Sequence, residues 1–321
     1  MRFNHSSRIK ELVTVWTSKA SSKQRTGRAG RTGPGICWRL YSEEFSNEWM
    51  PDQTSPEILR TPLDELVMQL ALLNEHKRDE RSKSGAAKNG PEANGFCPVR
   101  FLSKTPEPPE KPAVLEATKH VMEVGALVVV ATEPGLLYRL TPLGYHLARL
   151  PMDAKVGKVL LVGCILGCLE NSLTIAAALS VTKSCFPSRW GGMKEVDWKI
   201  CLQARQEMVE KGFGGPHWRG GTVKGDLIAT LAAFRDWKRQ RSDKERRVFC
   251  SKHGIDNVAM KDMDSLSSQF LDCLKDAGFV ANGSASNSVA KDDALLTSCC
   301  LVAGLYPNIA TLMRPRKGGP K

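Results

Sequence analysis

The 321-residue sequence predicts a mainly α chain with α+β parts, and three observations carry that reading. Beyond Asp153, apolar residues recur at three-and-four spacing in five segments, 154–168, 172–179, 197–210, 225–239 and 263–277, the period of helices that each bury one face. Between Pro112 and Pro142 a helical stretch gives way to two runs of β-formers separated by Glu133-Pro134-Gly135. Near the start, the turn formers Asn4-His5-Ser6-Ser7 precede Ile9, Leu12, Val13, Val15 and Trp16, the pattern of one strand of a hairpin. A hydrophobic content of 41% is enough to bury a real core, and the length suits two or three domains.

Taken in order, the first strand has only Arg2 and Phe3 ahead of its turn to pair with, so a sheet is expected whose other strands lie outside this chain. Ile58, Leu59, Leu63, Leu66, Val67, Leu70 and Leu73 then repeat with helical spacing. Pro62 breaks the first part, which places the helix start at about Leu63. Residues 76–95 are charged, rich in Ser, Ala, Gly and Asn and without periodicity, which predicts a mobile insertion over 77–95. Pro112 opens a helix over 113–123, and Gly125 falls where a left-handed residue commonly ends one. Strands follow at 127–131 and 136–140, after which Thr141 and Pro142 read as the N-cap and first residue of the next helix. Helix, helix, strand, turn, strand is the order of a winged-helix domain. Residues 284–293 are small and polar, as in a linker, and 295–309 predicts the start of a β structure. The tail from Arg314 to Lys321 reads as a frayed basic terminus.

Lys and Arg outnumber Asp and Glu by 46 to 34, a net charge of +12 that suits an anionic partner such as RNA. Ten cysteines lie scattered from Cys37 to Cys300 without a CxxC pair, which argues against a disulfide framework. Cys164 and Cys168, one helical turn apart in an apolar run, read as buried small hydrophobes, and Cys250 with His253 is half a metal site without its other half. No metal is assigned. The N-terminus has no apolar core of a secretory signal, and the longest apolar stretch, 156–169, is too short to span a bilayer and is interrupted by Lys158. The expectation is a cytoplasmic or nuclear protein with no membrane partner.

The most informative stretch is Gln24-Arg25-Thr26-Gly27-Arg28-Ala29-Gly30-Arg31, followed by Gly35, Cys37, Arg39, Leu40 and Tyr41. In a helix, arginines three apart and Gln24 four residues before Arg28 come close together. Guanidinium suits phosphate because its planar donor fork stays charged and can bracket two oxygens. Gly27 and Gly30 would each cost about 1 kcal/mol in a helix relative to Ala, which points to close approach of something to the backbone.

This segment resembles motif VI of the DEAH/RHA family of superfamily 2 RNA helicases, with Ser18-Lys19-Ala20-Ser21 resembling the lead-in to that motif. The resemblance covers nearly the whole chain. Ser55-Pro56-Glu57-Ile58-Leu59-Arg60 with Pro62-Leu63 resembles the family's entry into the winged helix, and Leu150-Pro151-Met152-Asp153 its exit. Leu173 to Ser180 and Asp226 to Trp237 resemble helices of the bundle called the ratchet, and Gly304 to Ala310 the opening of the OB-fold. The resemblance implies four parts: residues 1–54 as the C-terminal part of the second RecA-like domain, 55–153 as a winged helix with its insertion, 154–282 as the ratchet, and 283–321 as a linker and truncated OB-fold start.

It further implies that Arg28 and Arg31 act as arginine fingers on a nucleoside triphosphate while Gln24 helps to position the attacking water, with Arg25 structural or interdomain. ATP or another NTP with Mg²⁺ is the implied cofactor, RNA the implied partner, and 3′-to-5′ unwinding the implied activity; protein activators are unspecified. No GxxxxGK(S/T) loop and no DExH motif occurs in the sequence, so the phosphate cradle and the metal ligand are missing and the chain by itself is expected to be inactive. A non-catalytic RNA-binding or protein-docking module is the alternative, since these domains can hold partners without chemistry.

Overall fold

The computed structural model describes residues 2–4, 9–11, 13–83, 95–131, 136–186, 195–212, 225–281 and 294–308. Its contacts divide the chain into two compact units, Met1–Met122 with Leu127–Arg139, and Glu123–Ala126 with Leu140–Lys321.

In the first unit, β1 (Arg2–Asn4) pairs antiparallel with β2 (Ile9–Glu11), Arg2 standing opposite Glu11. The hairpin thus finds its partner within the chain, and its second strand stops well short of Trp16. Helices α1 (Lys19–Ala29) and α2 (Glu43–Glu48) follow, then a short 3₁₀ turn, Glu57–Leu59. Pro62 separates that turn from α3 (Asp64–Lys83), which buries Val67, Met68, Ala71 and Leu72.

Helix α3 corrects the insertion expected over 77–95. It runs to Lys83, so residues 77–83 are helical, and 84–94 lie outside the described residues. The extension has no apolar stripe to betray it; it is built from Lys, Arg, Asp and Glu, several of them good helix formers, and Glu75 grips both Arg78 at 2.8 Å and Arg139 at 3.3 Å.

Helices α4 (Pro98–Leu102) and α5 (Lys111–Val124) come next. Along α5 the buried residues Ala113, Val114, Ala117, Val121 and Val124 fall at three-and-four spacing. Gly125, at φ +89°, ends the helix in a conformation that side chains with a Cβ rarely adopt. The neighbouring strands β3 (Leu127–Ala131) and β4 (Leu137–Leu140) form the second sheet, and Phe96 and Tyr138 exchange two backbone hydrogen bonds of 2.8 Å at its edge. The expected turn at 133–135 lies outside the described residues.

The second unit is helical. Thr141 caps α6 (Pro142–Arg149) as expected, its hydroxyl accepting from Gly144 N at 3.0 Å and donating to Gly125 O at 2.6 Å. Then come α7 (Ala154–Ile165), α8 (Leu169–Ser180), α9 (Glu195–Gly212), α10 (Asp226–Arg239), α11 (Asp243–His253), α12 (Asn257–Asp276) and α13 (Ala294–Leu305). The main packing pairs are α7 with α8 and α13, α8 with α12, and α9 with α10. The helix expected over 154–168 ends at Ile165, and Gly167, at φ +71°, lies in the turn before α8 starts at Leu169.

Helix α13 is a second correction. The β start expected at 295–309 is a helix through Leu305, and it packs on α7 in the same compact unit. Nearly every residue of α13 is apolar or small, which hides its period. The buried positions, Thr297, Cys300 and Gly304, are spaced three and four apart, and a Cβ on Gly304 would strike Val159 of α7.

Inside this bundle sits one polar chain. Asn171 of α8, fully buried, accepts from Arg235 of α10 at 2.7 Å and donates to Thr297 of α13 at 2.9 Å. One amide side chain therefore joins three helices that the sequence separates widely. Among the described residues no helix is long and apolar enough to cross a membrane.

Replacing Asn171 by Ala removes a charge-assisted and a neutral hydrogen bond at once, and a loss of about 2–3 kcal/mol is expected in urea unfolding. The thiols give a second test. Burial pushes Cys164 and Cys250 up to about 11, Cys168 adding to the first and Asp256 to the second, whereas Cys37 and Cys299 are exposed. Iodoacetamide at about pH 8 is expected to label Cys37 and Cys299 well before Cys164 and Cys250, read by peptide mass after a timed quench.

Candidate nucleotide-contact helix

Helix α1 carries the arginine motif, and its position is set from its first turn. Ser18 is the N-cap; its buried hydroxyl accepts from Ser21 N at 3.1 Å and lies 3.0 Å from the Thr54 hydroxyl. The next two amides, free by geometry at a helix start, donate to Pro51 O at 2.9 Å and Asp52 O at 3.0 Å. Lys19 adds an ion pair to Asp52 at 3.0 Å and a hydrogen bond to Asn47 O at 3.1 Å.

One side of the helix is also held. Ser22 and Thr26, four residues apart, meet the returning strand-like segment: the Ser22 hydroxyl bonds that of Tyr41, and Arg39 reaches the Thr26 hydroxyl at 3.5 Å. Gln24 and Arg28, also four apart, project roughly opposite. Both are exposed, as are Arg25 and Arg31. Arg31 follows the helix, which ends at Ala29 with Gly30 as its C-cap, so the expected row of three helical arginines is two on the helix and one in the turn after it. Among the described residues no hydrogen bond or ion pair engages the side chains of Gln24, Arg28 or Arg31.

The glycines divide into two kinds. A Cβ at Gly27 or Gly30 would meet nothing within 4 Å, so nothing described in this chain requires them to be glycine. A Cβ at Gly35 would collide with the backbone carbonyl of Ala29, so Gly35 lets the chain turn back along α1. Sequence reasoning noted Gly35 only as part of the motif; its role depends on a contact six residues away.

Beside this helix lies an apolar surface. Ile36, Trp38 and Leu40 alternate along the returning segment and are 78%, 84% and 99% exposed, the period of a strand without strand neighbours among the described residues. Trp16 and Trp49 are also exposed, Trp16 resting against Phe45 with ring centroids 4.6 Å apart. Among the described residues no three His, Cys, Asp or Glu side chains group as a metal site.

Residues 153–254 match the family described as "Helicase associated domain (HA2), ratchet-like". The match begins at Asp153, the N-cap of α7, and ends at Gly254, the left-handed residue that closes α11. Over 97% of its length the chain is 32% identical to the "ATP-dependent DNA/RNA helicase DHX36" of Bos taurus, covering 27% of that protein. It is 33% identical over 95% of its length to "DExH-box ATP-dependent RNA helicase DExH1" of Arabidopsis thaliana, covering 26% of it. The "Putative ATP-dependent RNA helicase DHX57" of Mus musculus is 28% identical over 98% of this chain, which covers 21% of that protein. Together these matches support a DExH-box helicase C-terminal region. It spans about a quarter of the length of the first of these relatives.

The geometry separates anchoring from reactive positions. Ser18→Ala is expected to cost about 1 kcal/mol and to raise amide exchange through the first turn of α1. Gln24→Ala, Arg28→Ala and Arg31→Ala, all at exposed positions, are expected to leave the unfolding midpoint unchanged to within about 0.5 kcal/mol.

Proposed function

We propose that this chain supplies the arginine fingers and RNA-gripping domains of an ATP-dependent RNA helicase whose nucleotide site is completed by a preceding RecA-like half. The observation that carries the proposal is the exposure of Gln24, Arg28 and Arg31 on a helix clamped at its other side, with open space at Gly27 and Gly30. Such donors cost no reorganisation when a polyphosphate arrives, which is the condition for electrostatic stabilisation of a transition state.

Residues 1–54 serve in this reading as the end of the second RecA-like domain, and the unpartnered alternation at Ile36, Trp38 and Leu40 supports it, because an α/β domain would seat such a segment in its sheet. Residues 55–153 act as a winged helix, supported by the order α3, α5, β3, β4. The bundle from residue 154, now including α13, is the ratchet. In the completed enzyme Arg28 and Arg31 close on the triphosphate, Gln24 orients the water that attacks it, and Mg²⁺ is held by the other half. The sequence has neither a phosphate loop nor a DExH motif, so the chain by itself holds no nucleotide and hydrolyses none.

The test is reconstitution. Fused behind a family-typical half bearing both motifs, the chain is expected to give RNA-stimulated ATP hydrolysis at a kcat that falls by about 10³–10⁵ on Arg28→Ala or Arg31→Ala. RNA affinity is expected to stay within a few-fold. Arg→Lys should rescue poorly, because a lysine keeps the charge but not the planar fork. Turnover that survives either alanine overturns the finger assignment. Parallel loss of RNA binding and turnover instead makes the arginine run a basic RNA-contacting patch rather than a pair of fingers.

A further inference from the structure

The charge of this protein is not evenly spread. Between Arg235 and His253, eight Lys and Arg side chains face three Asp and Glu, a net +5 within 19 residues of a chain whose total is +12. This segment forms the end of α10, the tight corner after it and all of α11.

The carboxylates there are already committed. Asp236 pairs with Arg239 at 2.9 Å, Asp243 is shared between Arg247 at 2.9 Å and Lys261 at 2.7 Å, and Glu245 accepts from the Arg241 backbone N–H at 2.9 Å. The side chains of Arg241, Lys244 and Lys252 are exposed and make no ion pair among the described residues. Lys244, Val248 and Lys252 fall four apart on the outer face of α11, with Arg247 beside them, so the cations form a ridge about 12 Å long. The inner face is occupied by Arg246, whose guanidinium sits 4.4 Å from the Trp237 ring centre, and by buried Cys250.

Arg241 and Lys244 stand at the positive end of the α11 dipole, where local electrostatics disfavours a cation. The corner that presents them is nevertheless rigid, because Trp237 is buried and donates to Asn257 at 3.0 Å while Ser242 caps the helix by accepting from Glu245 N at 3.2 Å. A fixed ridge of uncompensated cations with Val248, and no exposed aromatic among them, fits a ligand that offers evenly spaced negative charges and no base to stack.

We infer that the α10–α11 corner binds the sugar-phosphate backbone of RNA without regard to sequence, through Arg241, Lys244 and Lys252 with Arg247 in support. The inference rests on the reading of this protein as an RNA-engaging one and adds to it a particular surface.

The full chain is titrated with a labelled single-stranded oligouridine across a series of salt concentrations, alongside the triple variant Arg241→Gln, Lys244→Gln and Lys252→Gln. Since all three side chains are exposed and make no ion pair among the described residues, the variant is expected to melt with the parent. Its affinity is expected to fall about tenfold or more near physiological salt, and the slope of log affinity against log salt to become shallower by about 2, the release lost with three phosphate contacts on a single strand. A control double, Lys23→Gln with Arg25→Gln on exposed positions of α1, removes like charge outside the RNA-gripping domains and is expected to keep most of the affinity. If the parent chain binds no oligouridine, the RNA reading falls and this inference with it. Parent binding that the corner variant leaves unchanged, or that the control loses equally, overturns the corner alone. A corner variant that loses polyglutamate binding but keeps oligouridine makes the surface a dock for acidic proteins and likewise overturns the assignment.

Discussion

The hydroxyl of Ser18 is the pivot on which the arginine helix turns. It is buried, it satisfies an amide of the first turn of α1, and it meets Thr54, so the beginning of the helix and the segment that closes residues 51–54 are fixed by the same atom. Everything downstream inherits that constraint. Ser22 and Thr26 are used to hold the returning segment, which leaves Gln24 and Arg28 with nowhere to go but outward. A helix whose own surface is entirely polar cannot position itself by burying an apolar stripe, and α1 buries no residue at all; it is located instead by capping and by one row of hydroxyls.

The bundle solves a different problem. Its helices lie close together because small residues stand where they meet: a Cβ on Gly163 would strike Ser172, and one on Gly304 would strike Val159. Apolar packing of this kind is tolerant of sliding. The chain of Arg235, Asn171 and Thr297 is not, since hydrogen bonds in a dry interior hold only at one register of the three helices.

What was legible in the sequence followed local chemistry. Thr141-Pro142 announced the start of α6 because capping is decided within four residues, and α5 was readable because its buried positions have one period. The failures have equally local causes. Helix α11 buries only Cys250, so it shows no apolar period and was not anticipated; the second half of α3 is polar all round; α13 is apolar all round and looked like β structure. In the candidate site, Gln24 and Arg28 could be placed on one face from spacing alone. The departure of Arg31 from the helix and the collision that requires Gly35 both depend on where the chain goes after Gly30, which spacing does not encode.

The match to the helicase-associated family stops at Gly254, yet the folded body does not. Helix α12 lies against α8, burying Ala259, Met260, Met263 and Leu274, and α13 lies against α7. The matched module is therefore one side of a sandwich whose other side is built from α12 and α13. Cut at Gly254 and produced in isolation, it would present the bared flanks of α7 and α8 to water and to its own copies. The folded unit is thus longer than the span of the helicase-associated family model, and its frontier is drawn by buried surface.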